Sequence, residues 1–166
     1  MTARTPDLRI LVCGTADRGD DGAALSAISH VLPSLPDELL CRIEIKRCQM
    51  LDVTDLLAIG PGESCVVIDT VVGVEAGQIV TMPLEDLARR PAGVAPRSSH
   101  ALRVDEALLI AEVVRGSLPA GTFVGIGGKW FGYGERFSRA VKAGLPAFGD
   151  AIRNSIEDLL AVPRQV

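Results

Sequence analysis

Short apolar runs alternate along this chain with segments of helical spacing. Arg9 to Gly14 (RILVCG) is an apolar run closed by glycine, the pattern of a strand buried on both faces. After a loop, Asp20-Asp21-Gly22 leads into Ala24, Ile28 and Leu32 at helical spacing, and Pro33 closes the segment. Acids suit that first turn because they oppose the positive end of the helix dipole. Cys41 to Arg47 alternates as a second strand, and Leu51 to Ile59 predicts a short helix stopped by Gly60-Pro61-Gly62. Cys65 to Val72 (CVVIDTVV) is the strongest buried-strand signal in the chain. Gln78 to Met82 predicts a short edge strand and Leu84 to Ala88 a turn of helix; Arg89 to Arg97, with two prolines, predicts a loop. A long helix follows over Leu102 to Val114, with Leu102, Leu109 and Val113 on one face, then a last strand over Thr122 to Ile126. Phe137 to Leu145 and Phe148 to Leu160 complete the pattern as two helical segments.

Strands alternating with helices predict a single domain over residues 1–166, an α/β three-layer sandwich. Its central sheet should have about five mostly parallel strands, including one short antiparallel edge strand. Sites in such sheets form at the carboxyl ends of the strands. Asp20 and Asp21 stand after the first strand, Asp69 near the end of the third, and Gly125 to Lys129 after the last.

Composition narrows the possibilities. The 166 residues are 48% hydrophobic and carry 17 basic against 21 acidic side chains, a net charge of -4. That is too apolar for a disordered chain and has the wrong sign for a nucleic-acid binder. The most apolar stretches, Ala107 to Ala111 and Gly121 to Gly128, fall far short of the roughly 20 residues that span a bilayer. The opening residues hold no export pattern, so a cytoplasmic protein with no membrane partner is expected. The four cysteines form no CxxC pair and sit in or beside apolar runs, as core thiols do. All six aromatics lie between Phe123 and Phe148, which argues against a base-stacking platform spread over a sheet.

Two carboxylate positions on neighbouring strands bring like charges together, which is costly unless a cation or a shared proton intervenes. Asp20 and Asp21 could be plain acids of a helix start, but a carboxylate inside Val66-Val67-Ile68-Asp69 is rarely buried without a partner. Of the two histidines, His30 reads as a partly buried helix residue. His100, in Ser98-Ser99-His100 between a loop and a helix, can face a cleft. Asp21, Asp69 and His100 together make a two-carboxylate, one-imidazole set of the kind that binds zinc or nickel. No HExxH, GxSxG or GxxxxGK[ST] motif is present. Gly14-x-Ala16-x-x-Gly19 imitates a dinucleotide fingerprint, but carboxylates follow where a pyrophosphate would need bare backbone donors.

Gly19-Asp20-Asp21-Gly22 after the first strand, then Cys65 to Thr70, then Ser98-Ser99-His100 ahead of a helix, resemble the hydrogenase maturation endopeptidases. Gly125-Ile126-Gly127 and Phe137-Ser138-x-Ala140-Val141 are similar to that family's last strand and helix. The family commonly carries Gly-x-Gly-Asn where this chain has Gly14-Thr15-Ala16-Asp17. The resemblance implies an endopeptidase of aspartyl type that removes the C-terminal extension of a [NiFe]-hydrogenase large-subunit precursor after nickel insertion. It implies Asp21, Asp69 and His100 as metal contacts; Asp21 and Asp69 are then the expected catalytic carboxylates, with Asp20 as a supporting one. Nickel would be presented by the substrate, with no organic cofactor, and the protein would act as a monomer.

Two other readings share parts of this pattern. A receiver-type phosphoacceptor domain also has paired acids after its first strand, an aspartate after its third and a lysine after its last, here Asp20, Asp21, Asp69 and Lys129. Receivers, however, need no histidine and have no counterpart to the strand at Gln78 to Met82. A non-proteolytic metal-binding accessory protein would use the same three ligands.

Overall fold

The structure, a computed structural model, describes residues 5–91, 97–98, 103–134 and 136–162. In chain order its elements are β1 (Leu8–Cys13), α1 (Ala23–Val31), α2 (Asp37–Leu40), β2 (Ile43–Cys48), α3 (Val53–Leu57), β3 (Ser64–Val72), β4 (Ile79–Pro83), α4 (Leu84–Ala88), β5 (Arg97–Ser98), α5 (Val104–Arg115), β6 (Ala120–Gly127) and α6 (Arg139–Ala161). A 3₁₀ turn, Gly19–Gly22, precedes α1.

The sheet runs in the order β2-β1-β3-β6-β4. Its first four strands are parallel, and β4 lies antiparallel on β6 as the far edge. The two-residue β5 pairs antiparallel with the carboxyl end of β3 at Val71 and Val72, a strand the loop-like composition of 89–97 concealed. Alternation along the strands divides the core in two. Ile10, Val12, Val66, Ile68, Val124 and Ile126 pack against α1 and α6. Leu11, Cys13, Cys65, Val67, Val71 and Phe123 pack against α3, α4 and α5. Helices on both faces of a mostly parallel sheet make the expected three-layer sandwich.

Several local expectations are corrected. The two expected C-terminal segments are one 23-residue helix, α6, with Pro146 inside it. Proline there removes the bond to the carbonyl of Lys142, but both residues are exposed, so water can take that carbonyl and the helix continues. On α5 the buried face is Val104, Ala107, Leu108 and Ala111, whereas Leu109 and Val113 are exposed. His30 is exposed, its Nδ1 at 2.8 Å from the Ser26 carbonyl, and Cys41 is exposed while the other three cysteines are buried. Among the described residues no helix is long and apolar enough to cross a membrane.

Candidate functional site

The site is built where β1 stops. Gly14 has φ of 132°, and a Cβ placed on it would lie 2.0 Å from the backbone oxygen of Asp21. Only glycine permits that approach. It lets the Gly19–Gly22 turn fold back over the end of β1 and bury both aspartates, Asp20 at 0% and Asp21 at 3% exposure. Ala16, where the related pattern has glycine, packs against Gly22, whose added Cβ would sit 3.2 Å from the Ala16 backbone. The first loop is therefore tightly closed despite its altered sequence.

The adjacent acids are used differently. Asp21 Oδ2 accepts the Thr15 N–H at 2.8 Å. Asp21 also lines a cleft of ≈ 380 Å³ with Thr15, Arg18, Met50, Val72 and Phe131. Asp20 points the other way, into the chain: Oδ2 accepts the N–H groups of Lys129 and Trp130 at 2.8 and 2.9 Å, and Oδ1 accepts that of Ser138 at 2.6 Å. One buried carboxylate thus ties the loop after β6 and the start of α6 to the loop after β1. Such charge-assisted bonds to backbone N–H groups are strong, and they give Asp20 a positioning part.

Asp69 lies near the carboxyl end of β3, beside Gly125 of β6, and is 1% exposed. Its Oδ1 accepts the N–H of Thr70 at 2.8 Å, and the Thr70 hydroxyl donates to the backbone oxygen of Asp20 at 2.8 Å. The strand that carries Asp69 is therefore bonded directly to the turn that carries Asp21. Both acids reach the same sheet edge. The negative charge of Asp69 also acts on Cys13, the last residue of β1. The Cys13 thiol is pushed well above its ordinary value, chiefly by its bond to Cys48 and by burial, with Asp69 adding to the effect.

His100 lies outside the described residues. The nearest described chain before it, Arg97–Ser98, is β5, held against the carboxyl end of β3. Among the described residues no group of three His, Cys, Asp or Glu side chains could hold a metal ion. The structure thus brings Asp20, Asp21 and Asp69 to one edge. Thr70, Lys129 and Ser138 stood in the sequence only as parts of longer motifs, and their shared bonding to Asp20 was not expected. A threonine inside an apolar strand and a glycine-bounded aromatic loop carry no signal that they meet.

No family model and no curated protein matches the chain. Solved structures do. A [NiFe] hydrogenase maturation protease, HybD, from Thermococcus kodakarensis is similar over 89% of this chain and 97% of its own, at 22% identity and a TM-score of 0.61. The hydrogenase maturating endopeptidase HybD of E. coli covers 91% of this chain and 92% of its own at 16% identity, with a TM-score of 0.69. HycI of Thermococcus kodakarensis KOD1, another [NiFe] hydrogenase maturation protease, covers 94% and 95% at 18% identity and 0.63. The chain has the fold of these proteases along nearly its whole length.

Proposed function

We propose that this protein is a hydrogenase maturation endopeptidase that removes the C-terminal extension of a [NiFe]-hydrogenase large-subunit precursor and recognises the nickel already bound there. The observation that carries the reading is a fold shared along nearly the whole chain with named maturation proteases, and it is supported by the Thr70–Asp20 bond that ties the strand of Asp69 to the turn of Asp21. Each acid is oriented by a backbone N–H, Asp21 by Thr15 and Asp69 by Thr70, which fixes a carboxylate for ligation or for proton transfer. Nickel, as part of the substrate, supplies the recognition charge. Asp21, Asp69 and His100 approach it while the precursor's tail lies in the cleft that Asp21 lines. Asp20 holds the walls of that cleft in place. Hydrolysis adds water across the scissile peptide bond, leaving a carboxylate on the trimmed subunit and an amine on the released tail. In this reading residues 1–166 work as one domain, as a monomer in the cytoplasm, without an organic cofactor.

The receiver reading is disfavoured by two features. The far edge strand β4 is antiparallel, and both carboxylate oxygens of Asp20 are engaged by backbone N–H groups rather than arranged for a metal ion.

The experiment is incubation with a nickel-loaded precursor and, separately, with the metal-free precursor, read by intact-mass spectrometry. Loss of the tail mass from the nickel-loaded form alone is expected. No loss from either would overturn the peptidase reading, and equal loss from both would remove nickel recognition. A stable acyl-phosphate on Asp69 after treatment with a small phosphodonor and Mg²⁺ would restore the receiver.

A further inference from the structure

The loop after β6 exposes several side chains, although Phe131 is half-buried and the loop's backbone is held from within. Trp130 is 42% and Tyr133 83% exposed, and Lys129, Arg136 and Arg139 are exposed beside them. Arg18, from the loop after β1, lies over the Tyr133 ring with its guanidinium carbon 5.4 Å from the ring centroid, and its backbone bridges to Gly134. Lys129, Trp130 and Arg139 line one hollow of ≈ 740 Å³. Arg18 and Phe131 line the cleft of Asp21, so hollow and cleft flank the same aromatic loop.

Two properties set this face apart. It is cationic in a chain of net charge -4: from 129 to 142 the sequence holds Lys129, Arg136, Arg139 and Lys142 against Glu135 alone. The ion pairs of the described residues use Arg9, Arg42, Lys46, Arg89, Arg103 and Arg153, and none of the cations of this face. It is also preorganised, because the buried Asp20 fixes the backbone at Lys129, Trp130 and Ser138, so little order remains to be gained on binding. Exposed Trp, Tyr and Arg on a rigid support are the residue types that dominate the energy of protein interfaces.

We propose that the face formed by Arg18, Lys129, Trp130, Tyr133, Arg136 and Arg139 docks an acidic segment of the protein substrate, seating it beside the cleft before cleavage. This inference rests on the endopeptidase reading for the identity of the partner, but its chemistry is charge complementarity and is tested without cleavage. Long-range attraction between the cationic face and an acidic segment raises the encounter rate and fixes orientation, and salt screens it.

The test is fluorescence anisotropy of the full-length protein with a fluorescein-labelled dodecapeptide of alternating Glu and Ala, with a Lys/Ala peptide as control. Binding of the Glu peptide alone is expected, weakening as salt rises. Affinity should fall at least about tenfold in Arg136→Glu/Arg139→Glu. Both positions are exposed, and the neutral pair Arg136→Gln/Arg139→Gln should fall between, which keeps the comparison if the reversal disturbs folding. Equal affinity in all three proteins, or equal binding of the Lys/Ala peptide, overturns the proposal. Displacement of the Glu peptide by a short DNA duplex at equal or lower concentration also overturns it, in favour of a nucleic-acid surface. Loss of peptide binding leaves the endopeptidase reading standing, and failure of precursor processing leaves the docking surface standing.

Discussion

Asp20 Oδ1 accepts the backbone N–H of Ser138 at 2.6 Å, joining positions 118 residues apart, while Oδ2 of the same carboxylate holds Lys129 and Trp130. Asp20→Ala would strand three backbone donors and should cost about 3 kcal/mol, lowering the thermal midpoint by roughly 6–12 °C. Hydrogen exchange should quicken at Lys129, Trp130 and Ser138 more than in the strands. Unchanged exchange at those three amides would remove the positioning role.

Asp69 and Asp21 should behave otherwise. Asp69→Asn and Asp21→Asn keep the shape of each side chain, so each should abolish precursor processing while shifting stability by less than about 1 kcal/mol. His100→Ala should likewise abolish processing. Paired melts and processing assays decide this, and strongly lowered midpoints would make the aspartates structural.

Gly14 combines a positive φ with a close approach to Asp21. Gly14→Ala should cost about 2–4 kcal/mol in urea denaturation and reduce processing with it. A variant as stable as the parent would show that the loop after β1 is not closed in this way.

Cys65 gives a pH prediction. Burial pushes its thiol from 9.0 up to about 12. Between those values the unfolded chain releases the proton and the folded chain keeps it. The contribution is therefore fully present below pH 9.0 and is lost as pH rises toward 12, at about 1.4 kcal/mol per unit. Urea midpoints measured at pH 8 and 10.5 should converge between the parent and Cys65→Ala as pH rises. A constant gap would contradict the shift.

Much of the fold was legible because burial on both faces leaves an uninterrupted apolar run. CVVIDTVV became β3 with one residue added, and Gln78 to Met82 became the antiparallel edge, shifted by one. Periodicity failed where small residues carried the packing, as at Ala107 and Ala111 of α5, and where solvent tolerated Pro146. At the site, Asp69 stood out because an acid within an apolar strand needs a reason. Asp21 was set apart from Asp20 as the metal contact, but the three distant amides that Asp20 binds left no mark in the sequence around it.

Whether Asp21, Asp69 and His100 form one nickel-reading set is decided by anomalous diffraction at the nickel edge from crystals soaked in Ni²⁺. A single peak is expected about 2.0–2.2 Å from a carboxylate oxygen of Asp21, one of Asp69 and an imidazole nitrogen of His100. A map with no peak between the two aspartates, or with His100 turned to the opposite edge of the sheet from Asp69, would contradict it.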